Sequence, residues 1–440
     1  MRLGACIVSG LVGVLGMAKN LPFNTTTSAP FGSFFTGDDG GSGSGSSSSG
    51  AWDSFAQQQQ QQQQQLAVTL PKGQGTVHGK INPATPCVRE FLDIPYAQPP
   101  LGDLRFAFPE PALPFGDLDA TEFGPSCMQY LSEYPPSIYT RYVLEYNIAG
   151  LNMSTPFMSE DCLSLSVWAP TVAPTEACPL PLGGSSSSGG GGSSSDNEHF
   201  AARALPVIIF FYGGAFTTGG QDVPYQIPSQ WINRTHAHLV VTFNYRLNIF
   251  GFPNAAGLAE DRQNPGLMDQ RMVVEWVRDN IAAFGGDPGR ITLWGQSAGA
   301  TAVGFYQFAW RDDPIASAVV MDSGSEMLML PFNGREMHGN FTFVADHFGC
   351  GRDAQGLSAE AEFECMRGAN VSAAAVQDVI EAHDKEWMRV WGVGMDYVWF
   401  MPAIDDVLVF ADYEDKARKK EIADIVSRSS PKKGVLWREY

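Results

Sequence analysis

Gly295-Gln296-Ser297-Ala298-Gly299 sets one hydroxyl among small residues. In a G-x-S-x-G pattern the outer glycines allow the serine an awkward backbone geometry and let a strand and a helix approach closely. The chemistry is nucleophilic: a raised serine oxygen attacks an electrophilic carbon. Alone the pentapeptide is a weak signal, because Gly/Ser turns recur by chance. Its flanks strengthen it, since "ITLW" reads as a short strand before it and "AGATAVGFYQFAW" as a helix after it. A second glycine run, "FYGGAF" at 211–216, ends an apolar strand-like stretch. Backbone N–H groups in such a turn can receive the negative charge of a tetrahedral intermediate. Taken alone that run is equally a plain strand-to-loop turn; beside the serine elbow it reads as an oxyanion hole.

These residues need a frame, and the chain supplies alternating strand and helix signals. "LPVIIFFYGG" and "HLVVTFNYR" are near-continuous apolar runs of the kind buried in parallel sheets. In "NPGLMDQRMVVEWVRDNIAAFGGDP", Asn264 is placed to cap and Pro265 to fill the first turn. Val273, Trp276, Val277, Ile281 and Phe284 recur at helical spacing, and Gly285-Gly286 closes the helix. "IASAVVMDSG" reads as a further strand. The alternation predicts an α/β fold, a mostly parallel sheet with helices on both faces.

At 440 residues and 44% hydrophobic the chain can bury a large core. A net charge of −19 leaves no basic stripe for phosphates, which argues against nucleic acid as a partner. Residues 1–18 read as a secretory leader: Arg2, an apolar stretch Leu3–Leu15, then Gly16-Met17-Ala18. That stretch is shorter than the ~20 residues of a spanning helix, and no later segment qualifies, so no transmembrane segment is expected. Five Asn-x-Ser/Thr sequons, at Asn24, Asn152, Asn233, Asn340 and Asn370, agree with a secreted, extracellular glycoprotein. Of seven cysteines, Cys6 lies in the leader and six become disulfide candidates. No C-x-x-C or H-E-x-x-H spacing points to a metal, and no cofactor is called for.

Residues 19–70, Ser/Gly-rich and then poly-glutamine at Gln57–Gln65, are expected to be disordered. The folded domain is expected over 71–410, with a flexible Ser/Gly insertion at 183–198. Residues 411–440 are expected to form an atypical charged tail, helical at first and then a loop.

"FGGDPGRITLWGQSAG" (284–299) and "EDCLSLSVWAP" (160–170) make the chain resemble the type B carboxylesterases, the family of cholinesterases, carboxylesterases and fungal lipases. "FLDIPYAQPPLGDLRF" (91–106), "FNYRLNIFGF" (243–252) and "NPGLMDQRMVVEWVRDNIAAFGGDP" (264–288) extend the likeness from about Gly75 to about Asp406. The resemblance implies an α/β-hydrolase fold and an ester hydrolase working through an acyl-enzyme on small-molecule or lipid esters. It makes Ser297 the nucleophile and gives the oxyanion hole to the N–H groups of Gly214, Ala215 and Ala298. Ala215 stands where the family usually has glycine. Gln296 stands where cholinesterases carry Glu, which points to fungal-type esterases or lipases. Ser323 matches a serine that supports the catalytic acid; a buried serine bonded to backbone is the alternative. Cys127 with Cys162, and Cys350 with Cys365, match the family's disulfides. Cys87 and Cys178 are left open. The first disulfide closes an aromatic-rich loop holding Tyr130, Tyr134, Tyr139 and Tyr142, read equally as the rim of an acyl pocket or as surface packing. Trp387, Trp391 and Phe400 point to apolar substrate groups, or to core.

The family's order is Ser, Glu, His, and here the pattern breaks. His338, His347 and His383 come too early and read as surface or packing histidines. "FMPAIDDVLVF" (400–410) resembles the block before the catalytic Glu, with Asp406 in place of a glycine. Neither Glu421 nor Glu439 carries the motif that should follow. The catalytic acid and base are unassigned, and the expectation is a chain lacking the family's last third and weak in turnover. The alternatives are a non-catalytic esterase-like binding or adhesion protein, and a mis-spliced fragment.

Overall fold

Val207, Ile209 and Phe211 alternate with the half-buried Ile208 and Phe210 along Leu205–Phe211, so one face of this strand is buried and the other only partly so. Leu239–Phe243 is buried at every position, as a central strand covered on both faces must be. These two strands are the middle of an eight-stranded sheet.

The computed structural model describes residues 66–129, 158–172, 178, 204–327, 334–391 and 398–429, with the side chains of 334–337, 386–391 and 427–429 excepted. All of these belong to the second of the chain's two units, residues 56–440. The leader, the poly-glutamine tract, the Ser/Gly insertion, the tyrosine-rich loop, Asn24, Asn152, Glu439 and the side chains of Trp387 and Trp391 lie outside the described residues.

In chain order the strands of the main sheet are β1 (Lys80–Ile81), β2 (Val88–Pro95), β3 (Ser164–Pro170), β4 (Leu205–Phe211), β5 (Leu239–Phe243), β6 (Gly286–Gln296), β7 (Ala318–Asp322) and β8 (Val426–Ser429). Their spatial order is β8-β7-β6-β4-β5-β3-β2-β1. Pairing is parallel from β8 across to β5 and antiparallel from β5 to β1, so the parallel half carries the serine elbow. The described helices are α1 (Ser229–Thr235), α2 (Pro265–Asn280), α3 (Ala298–Ala309), α4 (Gly334–His347), α5 (Ala359–Arg367), α6 (Ala373–Trp391) and α7 (Tyr413–Arg418), besides single-turn segments. Val273 and Val277 of α2 and Val303 of α3 share one core with Ile209, Phe211, Val241 and Leu293 of the sheet. On the opposite face Ile232 of α1 packs with Trp168 and Val240. A second core joins Phe341, Phe363, Val376 and Ile380 of α4, α5 and α6 to Phe106, Phe250 and Phe400. Phe400 is therefore core rather than pocket lining.

Three expectations are corrected. The segment 66–70 is not part of the disordered stretch: Ala67–Leu70 is a strand antiparallel to Gly75–His78, because Val68 and Leu70 alternate and bury. The region after 410 is not only a charged tail, since α7 is followed by β8, which extends the sheet beside β7. Asn264 precedes α2 but its side chain does not cap it. The amide instead pairs with the backbone of Ala403, accepting from its N–H at 2.9 Å and donating to its carbonyl at 2.8 Å.

Among the described residues three disulfides tie the frame: Cys127–Cys162, Cys350–Cys365 and Cys87–Cys178. The third joins the pair that the sequence leaves open. No helix among the described residues is long and apolar enough to cross a membrane.

Candidate active site

Strand register decides which loops meet. Phe211, the last residue of β4, lies opposite Gly295 of β6, and Gln296 of β6 lies opposite Asp322, the last of β7. The turn after β4 and the elbow after β6 therefore emerge side by side at the carboxyl ends of parallel strands, where open α/β sheets place their sites.

At the elbow Ser297 takes φ 55, ψ −122, a conformation a side chain rarely adopts. Surrounding hydrogen bonds impose it. The Ser297 N–H donates to the Asp322 carbonyl at 2.9 Å, and its own carbonyl accepts from Thr301 N–H at 3.0 Å, which starts α3. Neither Gly295 nor Gly299 has positive φ, so the glycines serve close approach while the serine bears the strain. Ala298 is the first residue of α3, so its N–H has no intrahelical acceptor and faces outward at the positive end of the helix.

The glycine turn sits against the elbow. A Cβ placed on Gly213 would lie 2.9 Å from Ser297 Cβ and 2.6 Å from the Gln296 carbonyl. Gly214 has φ 109, and Ala215 and Phe216 follow at φ 54 and φ 58. Ala215 thus occupies the left-handed region natural to glycine, a conformational cost consistent with an over-determined turn. The Gly214 carbonyl accepts from Thr217 and Thr218 N–H, each at 3.0 Å. Below the turn the rings of Tyr212 and Tyr245 stack at 4.4 Å, and each hydroxyl donates to the other's carbonyl, at 3.1 and 3.2 Å. Complete burial pushes both phenols far above their ordinary range, so they stay neutral donors. Behind them Asp269 of α2 grips Arg246 through both carboxylate oxygens, at 2.8 and 2.7 Å, with both side chains buried.

Among the described residues no histidine or carboxylate side chain is hydrogen-bonded to the Ser297 hydroxyl. The Ser297 hydroxyl has no hydrogen-bond partner among the described residues. His347 lies on α4 and its Nδ1 approaches the Phe343 carbonyl at 2.9 Å; His383 lies on α6 against the Phe343 ring. His338 also lies on α4. Ser323 is exposed at φ 55, which sets aside the reading of a buried serine. Glu421 pairs with Lys416 and Arg311 at the surface. Asp406 takes φ 55, a conformation that explains an expected glycine there and that Asp tolerates. A cavity of about 330 Å³ is lined by Phe210, Trp231, Val240, Trp294, Gln296 and Asp322, on the partly covered sheet face. Among the described residues one trio of metal-ligand types converges, Cys87, Cys178 and His236, and its cysteines are disulfide-bonded.

Sequence reasoning missed Gln129, Asn248 and Glu326. Glu326 follows β7, only 3% exposed, with Oε2 unpartnered among the described residues and packed against Gly304 of α3. Burial raises its pKa. In acid both folded and unfolded chains hold this proton. As pH rises the unfolded chain ionises first, so the stability conferred by the neutral carboxyl is lost as pH passes through the raised folded value. Glu326→Gln is expected to match the parent in acid and to exceed it at neutral pH in urea midpoints. Parallel pH profiles for the two chains would remove this account.

The profile of the carboxylesterase family matches residues 63–429. Over 351 residues the chain is 40% identical to the chlorogenic acid esterase of Aspergillus niger, covering 80% of this chain and 59% of that one. Over 350 residues it is 38% identical to secreted lipase 5 of Gibberella zeae, covering 75% and 57%. It is 32% identical over 331 residues to the acetylcholinesterase of Electrophorus electricus, covering 73% and 43%. The chain thus spans less than two thirds of the length of each of these relatives.

Proposed function

The chain belongs to the carboxylesterase family and has its α/β-hydrolase fold, and from that premise we propose that Ser297 is the nucleophile of a secreted carboxylic ester hydrolase. The observation that carries this reading is the contact between the strained Ser297 elbow and the Gly213–Ala215 turn. Ser297 Oγ bonds to the ester carbonyl carbon as its proton leaves. The carbonyl oxygen takes the negative charge, which the N–H groups of Gly214, Ala215 and Ala298 receive. Collapse of that intermediate breaks the carbon–oxygen bond to the alcohol, which departs with a proton. Water then attacks the acyl-serine and releases the acid.

Small-molecule or lipid esters fit the relatives named as a chlorogenic acid esterase and a lipase. Slow turnover is proposed, because the Ser297 hydroxyl has no partner among the described residues to take its proton and loss of a base costs orders of magnitude in rate. Export fits one relative's name and the sequons. Among the described sequons Asn370 is the favoured glycan site, being exposed in a turn, whereas the Asn340 amide donates to the Trp399 carbonyl at 2.8 Å. A glycosidase-sensitive mass at Asn370 checks that order.

The test is a fluorophosphonate probe on the 440-residue chain, with peptide mapping. An adduct on Ser297 that disappears in Ser297→Ala is expected, together with slow hydrolysis of p-nitrophenyl acetate. Hydrolysis undiminished in Ser297→Ala would refute the assignment.

A further inference from the structure

The turn that carries two of the proposed oxyanion donors is held from outside by a three-residue segment, Cys127-Met128-Gln129. The Gln129 side chain is 2% exposed. Its Oε1 accepts from Gly219 N–H at 2.9 Å and its Nε2 donates to the Gly219 carbonyl at 2.9 Å, so one amide grips both backbone groups of a single residue. The second Nε2 hydrogen goes to the Cys127 carbonyl at 3.1 Å, which fixes the amide's orientation. Gly219 is the far end of the turn: at φ 120, a Cβ there would lie 2.5 Å from the Tyr212 ring and 2.9 Å from the Gly213 carbonyl.

The same segment holds the turn at a second point. The Met128 carbonyl accepts from Asn248 Nδ2 at 2.9 Å, and Asn248 N–H donates to the Phe216 carbonyl at 2.8 Å. The segment is itself anchored by the Cys127–Cys162 disulfide and by pairing of Ser126–Cys127 with Met158–Ser159. Gly214 and Ala215 lie between the two points of attachment and adopt backbone conformations that need external support.

We propose that Gln129 is a positioning residue: its amide clamp on Gly219, seconded by Asn248 at Phe216, sets the geometry of the Gly213–Ala215 turn beside Ser297. The proposal rests on the oxyanion-hole reading of that turn, but its first readout is independent of it. Gln129→Met keeps the shape and removes all three hydrogen bonds; Gln129→Glu keeps the acceptor and removes the donors. Hydrogen exchange at Thr217 and Thr218 reports the turn, because their acceptor is the Gly214 carbonyl, which neither substitution touches.

Exchange at these amides is expected to rise at least tenfold in Gln129→Met and less in Gln129→Glu, with α2 unchanged. In fluorophosphonate kinetics the maximal inactivation rate should fall ~10-fold, part of the effect of losing an oxyanion donor outright, with the half-saturating probe concentration unchanged. Unchanged exchange at Thr217 and Thr218 in both variants overturns the clamp, whatever the labelling shows. Faster exchange with an unaltered rate of Ser297 labelling overturns the positioning role, leaving Ser297 as nucleophile. Faster local exchange in a chain whose Ser297 never labels upholds the clamp and refutes the nucleophile reading instead.

Discussion

Gly299→Ala is expected to destabilise the chain strongly. The added Cβ would be driven into the carbonyl oxygen of Phe211 and would stand 2.8 Å from that of Tyr212. Both are backbone atoms at the end of β4, held by its pairing with β6 on one side and β5 on the other, so no side chain can swing away. Overpacking a well-packed core costs ~1–3 kcal/mol even where side chains yield, and here the loss should reach or exceed the top of that range. Because Gly299 has ordinary helical backbone, alanine's better helix propensity would predict a gain of up to ~1 kcal/mol, so the two accounts differ in sign. Chemical denaturation of the purified variant decides between them. A midpoint equal to the parent's would mean that the strand and helix have room to separate.

Asp269→Asn should cost nearly as much by a different route. Arg246 and Asp269 have side-chain exposures of 2% and 0%, and the Arg246 backbone N–H also donates to Asp269 at 3.0 Å. Removing the negative charge leaves a buried guanidinium facing an amide whose nitrogen can only donate. Breaking a buried pair in this way typically costs ~3–5 kcal/mol. Replacing both partners by apolar residues of similar volume, Arg246→Met with Asp269→Leu, should recover much of the loss, since a buried pair adds little over a well-packed hydrophobic contact. A single variant that melts with the parent would show that water reaches Arg246. A double variant worse than the single would show that the ion pair holds the α2 N-terminal half in place by itself.

What the sequence makes legible is the local chemistry. Ser297 stands out because strand, glycine and helix signals follow one another over 291–310, and Tyr212-Gly213-Gly214 because an apolar run stops abruptly at glycine. The side-by-side placement of the two follows from parallel pairing, which periodicity predicts in kind but not in register. Gln129 could not be picked out, because its partner Gly219 is ninety residues away and nothing about a glutamine after Cys127-Met128 marks it as a clamp. The pairing of Cys87 with Cys178 is hidden for the same reason: spacing alone does not fix connectivity. β8 reads as charged tail because Val426-Ser427-Arg428-Ser429 has one strongly β-forming residue, and it becomes a strand only by borrowing the open edge of β7.

That borrowed edge has a bearing on synthesis. Ala318 of β7 pairs with Val426, 108 residues further along the chain. A ribosome delivers β4, β5, β6 and β7 long before β8, and through that interval β7 offers a row of unpaired amides and carbonyls to any extended chain nearby. Unpaired parallel edges are templates for wrong partners. Chains halted before residue 426 are therefore expected to be the ones that chaperones hold or aggregates collect.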